Sequence, residues 1–364
     1  MKSVYALIGL FALFAFGASA LLADEAGAQR KVAEYERERS AWIARLNATE
    51  GVEARRALWA NAPLVDEFGE ELLRELDGSW DKSWFLDYAP QLLRLAPNYS
   101  IRPIAPGSSR TPLSVIRDSA ERFHFESPKI GFLCMTLTID SGPKTRVFLE
   151  KVEKTHPDRK VQGQAAMALA LLSRQLGDGG DVAEFKAQRL RWVRKAIIEA
   201  EEVQLGEVRI GQIAEDFLFA ITNLDKGMEA PDILGRMVDE RALRLADYRG
   251  KPVMIVFWHS RMEAFEKTMA FLRKVESRLG PRGLVVLGVA AEGRPVMRRL
   301  MQDGTVTWQN WLDEDGKLAK LYQVNKYPAC WVLDAEGKVE INGVPGSFAE
   351  LTAEALVKDL EKKN

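Results

Sequence analysis

The sequence predicts an all-helical N-terminal region over residues 24–225 followed by an α/β domain with a mixed sheet over residues 227–362. Three observations carry that reading. From about Gln29 to Leu224 apolar residues recur at three- and four-residue spacing with charges between them, the mark of helices with one buried stripe. After Lys226-Gly227 the pattern changes to β-branched runs alternating with helical segments. The chain of 364 residues, 47% hydrophobic and 28% charged, has the length for roughly two domains and enough apolar material for a core in each.

The first residues read as an address. Lys2 is followed by Val4 to Leu22, nineteen residues without a charge, and Asp24 and Glu25 mark the return to water. Ala18-Ser19-Ala20 offers the small residues a signal peptidase accepts, so residues 1–20 are expected to be a secretory signal peptide. An uncleaved signal anchor is the alternative, because nineteen apolar residues suffice to cross a bilayer. Both place the rest of the chain in the periplasm or cell envelope, with membrane attachment only if the segment is kept.

The helices follow in order. Glu53–Trp59, Leu64–Leu76, Trp84–Leu95 and Thr145–Lys154 each show the helical period, while Pro97, Pro103, Pro106, Gly107 and Pro112 interrupt it between Pro97 and Pro112. Val161–Leu176 is rich in alanine, which lets helices approach closely. Gly177 to Gly180 ends it, and Asp181 is a candidate N-cap for a long helix reaching about Gln204. Cys134, within Phe132-Leu133-Cys134-Met135, is expected to be a buried, inert thiol, and His124 and His156 to be structural or solvated.

In the second part, Val253–Trp258 reads as a buried strand, Glu263–Leu279 as a helix stopped by Gly280-Pro281, and Gly283–Ala290 as a second buried strand parallel to the first. Trp331–Asp334 and Lys338–Ile341, joined across Ala335-Glu336-Gly337, predict an antiparallel hairpin, and Phe348–Leu360 a closing helix.

Composition excludes several functions. With 51 Lys and Arg against 52 Asp and Glu the net charge is -1, and neither half is a basic arm, so nucleic acid is not an expected partner. Two cysteines and three histidines make neither a disulfide scaffold nor a metal site, and no phosphate-binding glycine loop or zinc-protease motif is present, so no cofactor and no metal are expected.

Residues 227–362 resemble the thioredoxin-fold redoxins of the bacterial envelope, of the TlpA-like and ResA-like type related to AhpC/TSA. The likeness rests on Gly227-Met228-Glu229-Ala230-Pro231-Asp232, on Leu245-Ala246-Asp247-Tyr248-Arg249-Gly250-Lys251 before the first long strand, on Phe257-Trp258 at its end, and on Tyr322 to Ala329 and Leu333 to Lys338. Phe148-Leu149-Glu150 through Ala165 is similar to the helical extension of planctomycete-type members. The resemblance implies a thioredoxin-like α/β sandwich, a thiol–disulfide oxidoreductase activity, and a cis-proline loop at Tyr327, Pro328 and Ala329 that in the family contacts extended polypeptide.

The family's Cys-x-x-Cys is absent. Trp258 is followed by His259-Ser260-Arg261-Met262-Glu263-Ala264-Phe265, which sets Met262 and Phe265 in the two cysteine positions. A thioether has no proton to lose and a phenyl ring cannot resolve a mixed disulfide, so exchange by the family mechanism is not expected there. Ser260 and Glu263 stand in the spacing of a capping box, which would preserve the helix start. Met262 and Phe265 then have two readings, packing that repairs a vacant site or apolar surface beside Pro328 that docks a peptide. Val256 stands where many thioredoxins carry a buried acid. The expected role is a redox-inactive domain acting as a noncatalytic protein-binding or structural module, with extended polypeptide or envelope proteins as partners. The alternative is a thiol oxidoreductase using Cys330. His259 and Ser260 are adjacent but lack a third orienting group, which disfavours hydrolase chemistry.

Overall fold

A computed structural model of the chain describes residues 25–49, 52–173 and 182–363. The apolar leader, including the expected signal peptide, and residues 177–181, with the expected N-cap Asp181, lie outside the described residues. Among the described residues no helix is long and apolar enough to cross a membrane. The chain divides into two compact units at Val161/Gln162.

The first unit is helical throughout its described residues. It runs α1 (Glu25–Ala48), α2 (Val52–Trp59), α3 (Val65–Leu76), α4 (Phe85–Leu95), α5 (Pro97–Ser100), α6 (Pro112–Phe123), α7 (Ile130–Thr136) and α8 (Pro143–Thr155). α4 is central, with Phe85, Ala89, Leu92 and Leu93 fully buried against α1, α3 and α7. Tyr35 of α1 stacks on Phe68 of α3 with ring centroids 4.1 Å apart, which adds to their burial. The proline-rich break is confirmed as a connector, but Pro112 begins a helix rather than ending one. It is the first residue of α6, where its missing N–H costs nothing, and the Thr111 hydroxyl accepts from Ser114 N at 3.1 Å to cap that turn. His124 and His156 are both buried; the His124 ring bonds the Trp80 carbonyl at 2.7 Å and His156 Nδ1 accepts from Asp158 N at 3.0 Å.

The second unit contains α9 (Arg159–Ser173) from Gln162 on, then α10 (Val182–Ala200), a short hairpin β1 (Gln204–Leu205) and β2 (Val208–Arg209), and α11 (Ile210–Asn223). The hairpin departs from the all-helical expectation, and Gln204 lies in a strand because α10 stops at Ala200. The alanines Ala165, Ala166, Ala168 and Ala170 of α9 are buried, and the close helix approach falls at Gly163. A Cβ on Gly163 would stand 2.8 Å from that of Ala200, so only glycine allows α9 to approach α10 this closely. These helices share their unit with the sheet.

The α/β part follows as β3 (Leu234–Arg236), β4 (Ala242–Arg244), β5 (Val253–Trp258), α12 (Phe265–Leu279), β6 (Val285–Ala290), α13 (Arg294–Gln302), β7 (Gln309–Leu312), α14 (Lys317–Leu321), β8 (Ala329–Leu333), β9 (Val339–Gly343) and α15 (Ser347–Lys363). Five strands form one sheet in the order β7-β6-β5-β8-β9, with β5, β6 and β7 parallel and β8 and β9 antiparallel to their neighbours. This is the mixed sheet the sequence predicts. All six residues of β5 are buried, and alternation sends Met254, Val256 and Trp258 to the face covered by α12, α13 and α15, and Val253, Ile255 and Phe257 to the face bearing Tyr322, Trp331 and the end of α11.

Asp313, after β7, is buried and accepts from the backbone N–H groups of Leu318 and Ala319, both at 2.8 Å, which satisfies the first turn of α14. Asp313→Ala is expected to cost about 1–3 kcal/mol, read as a lower urea midpoint with unchanged slope. An unchanged midpoint would mean that solvent serves those amides equally well.

Candidate functional site in the loop between β5 and α12

The site stands at the carboxyl end of β5, where a parallel α/β sheet places its binding crevices. Trp258 closes the strand fully buried, and its indole N–H donates to Asn310 Oδ1 at 3.0 Å, while Asn310 Nδ2 donates to the Trp308 carbonyl at 2.7 Å. Gly288 of β6 makes room for that chain of bonds. A Cβ there would lie 1.7 Å from Asn310 Oδ1 and 2.9 Å from the Trp258 indole nitrogen.

Residues 259–264 then turn twice before α12 begins at Phe265. The capping box expected of Ser260 and Glu263 does not form. α12 is preceded by Ala264 with no side-chain cap, and Glu263 is exposed. The helix starts too late for Ser260 to reach its amides. The carboxylate that serves the loop comes from another element: Glu292, buried after β6, accepts from the Ser260 backbone N–H.

Met262 is 6% exposed and belongs to the core cluster with Trp258, Met269 and Met297. Phe265 is half-buried against the same cluster, its ring 5.9 Å from that of Trp258. Of the two readings for this pair, packing is the one that Met262 fits, since its side chain presents almost no surface to a ligand. The half-open part of the site is instead His259 with Tyr327, whose rings meet edge to face at 4.9 Å. The Tyr327–Pro328 peptide is cis, and Ala329 opens β8 opposite Phe257. Cys330 follows, buried beside Val256 on the neighbouring strand.

The electrostatics leave little reactivity. Burial pushes the Cys330 thiol up to about 12, and Cys134, fully buried in the first unit, is raised further by the same cause. Both cysteines are free. Among the described residues no hydrogen bond joins Ser260 to the His259 ring, whose Nδ1 is buried without a partner. A serine nucleophile activated by that histidine is therefore not assembled. Among the described residues no group of three or more His, Cys, Asp or Glu side chains could hold a metal ion.

Known proteins resemble this part of the chain in sequence. Residues 227–341 match the model of the AhpC/TSA family. The chain is 25% identical over 142 residues to the thiol-disulfide oxidoreductase ResA of Bacillus thuringiensis subsp. konkukian, covering 38% of this chain and 79% of that protein. ResA of Geobacillus thermodenitrificans is 26% identical over 129 residues, covering 35% and 74%. This part of the chain is a thioredoxin-fold redoxin domain of the ResA and TlpA type. Among solved structures, the thioredoxin domain of a thiol-disulfide oxidoreductase from Bacteroides vulgatus is 24% identical, covering 37% of this chain and 99% of that one with a TM-score of 0.34.

Three residues of the redoxin domain's site escaped the sequence reading. Gly288 lies within β6, Glu292 just beyond it and Asn310 in β7, all distant in sequence from Trp258. A charged residue directly after a buried parallel strand, as in Ala290-Ala291-Glu292, is the signal that could have found Glu292.

Gly288→Ala is expected to destabilise the redoxin domain by roughly 2 kcal/mol or more, because Asn310 must move and leave the Trp258 N–H buried without its acceptor. Gly346→Ala, where an added Cβ meets open space, is the control, and equal urea midpoints for the two variants would refute the role given to Gly288. His259 supplies a pH test. Burial first, then the Arg261 charge, holds its imidazole below the ordinary value of 6.5, with Glu292 opposing. As pH falls the unfolded chain takes up this proton before the folded one, so the contribution is nil at neutral and alkaline pH, and stability is lost as pH drops below about 6.5. Between pH 7.5 and 5.5 the urea midpoint should fall less in His259→Gln than in the parent, and an identical fall would show that burial of this ring is not felt.

Proposed function

We propose that the redoxin domain performs no thiol–disulfide exchange and serves as a noncatalytic protein-binding or structural module of the cell envelope. The observation that carries this reading is the placement of the thiols. The loop entering α12 presents Met262 and Phe265, and the chain's two cysteines are buried elsewhere with their thiols raised. Exchange needs an accessible thiolate beside a resolving partner, and a helix N-terminus has no anion to stabilise when a thioether stands there. The relatives named thiol-disulfide oxidoreductases supply the scaffold likeness, and the envelope location rests on the apolar leader with its Ala18-Ser19-Ala20 junction. A polypeptide partner would meet Tyr327, Pro328 and the exposed side of His259, the parts of the site that Met262 leaves open. The rival use of Cys330 as a lone redox thiol is opposed by its burial at 1% exposure.

The expected results are no insulin reduction by the full chain with dithiothreitol, no reaction of the native protein with Ellman's reagent within minutes, and two titratable thiols after denaturation. Insulin reduction abolished by Cys330→Ser would overturn the proposal. Met262→Cys combined with Phe265→Cys should confer exchange activity, since it returns a dithiol to the start of α12, and a folded but inert double variant would show that the site has been misplaced.

A further inference from the structure

Within the first unit α3, α5, α6 and the loop before α6 line a half-open depression of about 470 Å³, in the size range of small-ligand sites, with its charged rim exposed. Its apolar lining is Leu73, Trp80, Tyr99, Ile104 and Val115. Three fixtures hold that lining in place. A Cβ on Gly69 of α3 would stand 2.5 Å from Tyr99 Cδ1, so the glycine is what lets the Tyr99 ring lie against the helix. Trp80 is held by the bond from its carbonyl to the His124 ring at 2.7 Å and by edge-to-face contact with Phe85 at 5.6 Å. The loop is closed at its neck by Ile104 N donating to the Arg110 carbonyl at 2.9 Å, with Ser108 Oγ accepting from Arg110 N at 3.0 Å, which fixes where Arg110 begins.

The charged lining is balanced and unspent. Arg74 and Arg110 face the same depression as Glu70 and Asp77. Arg74 lies one turn from Glu70 on α3, the spacing at which helical ion pairs form, and three residues before Asp77, which caps the helix. Yet among the described residues none of these four side chains makes an ion pair, whereas nearby Asp66 and Arg102 pair at 2.6 Å. Burial raises the Tyr99 hydroxyl first, Glu70 and Asp66 raise it further and Arg74 lowers it, which places charges of both signs beside that ring. Two free guanidinium groups offer donors to a carboxylate, two free carboxylates accept from an ammonium group, and the rings and aliphatic side chains between them suit an apolar substituent.

We propose that this depression binds a small zwitterion carrying an apolar or aromatic side chain, either a free amino acid or a di- or tripeptide with both termini unblocked. The binding is independent of the role given to the redoxin domain. The test is calorimetric titration of the full chain with L-phenylalanine and with the dipeptide Ala-Phe, beside N-acetyl-Ala-Phe, Ala-Phe amide and galacturonate. One zwitterion should saturate a single site in the micromolar to millimolar range, and whichever saturates at lower concentration names the source. Blocking either terminus should weaken binding about tenfold or more, because each block strands a charged partner. Arg74→Ala with Arg110→Ala should abolish the penalty of amidation while keeping that of acetylation, and Glu70→Gln with Asp77→Asn should do the reverse. All four positions are exposed, so unchanged thermal melting of both double variants will confirm that they fold. Absence of binding by both zwitterions, equal binding of blocked and free forms, or tighter binding of galacturonate would each overturn the proposal.

Discussion

Six consecutive buried side chains, Val253 to Trp258, commit β5 to the centre of its sheet, with β6 hydrogen-bonded on one side and β8 on the other. Alternation divides them between two cores, and a slip of one residue would exchange the sets and place Trp258 among residues shaped for Phe257. At about 1.5–3 kcal/mol for each large apolar side chain buried, the strand contributes on the order of 10 kcal/mol before the ordering of the chain is charged against it. That is comparable to the net stability of a whole domain. The position of the loop after Trp258 is a consequence of this register, because the strand can end in only one place.

The loop itself is organised around Met262. In a working redoxin the start of the helix after this strand needs room and solvent for a thiolate. Here Met262 turns inward and joins the cluster of Trp258, Met269 and Met297, a use of the thioether's flexibility that a shorter side chain would not fill. The loop's polar support comes from Glu292, and its outward side is His259 against Tyr327. The result is a loop whose centre is packed and whose outward side is half-open.

Much of this was legible in the residues. The run Val-Met-Ile-Val-Phe-Trp names a central strand, Trp331 to Ile341 a hairpin, and Pro328 its loop, because local pattern and long-range burial agree there. The capping box was misread for a physical reason. Ser-x-x-Glu spacing states only that a cap is possible, and whether the helix begins there depends on how the preceding residues pack, in this case on Met262 being drawn into the core so that α12 starts at Phe265. Glu292 and Asn310 were invisible for another reason. Their partners, Ser260 and Trp258, are 32 and 52 residues away in sequence, and only the parallel crossover brings the strand ends together. The two readings of Met262 and Phe265 could not be separated by spacing, since packing and recognition use the same apolar side chains; exposure separates them for Met262.

Cys330 shows why burial of a thiol bears on function more than its presence. Burial raises the Cys330 thiol well above its ordinary range, so at neutral pH the thiolate that exchange needs is a minor species. At 1% exposure, moreover, another sulfur can reach Cys330 only if β8 or its covering helices open. In an oxidising compartment those two barriers protect the residue as well as silence it, because the same thiolate would be the target of oxidation. Cys330 and Cys134 are thus best understood as small apolar side chains fitted to their cores. On the role proposed for this domain, dithiol chemistry would need new sulfur at the start of α12.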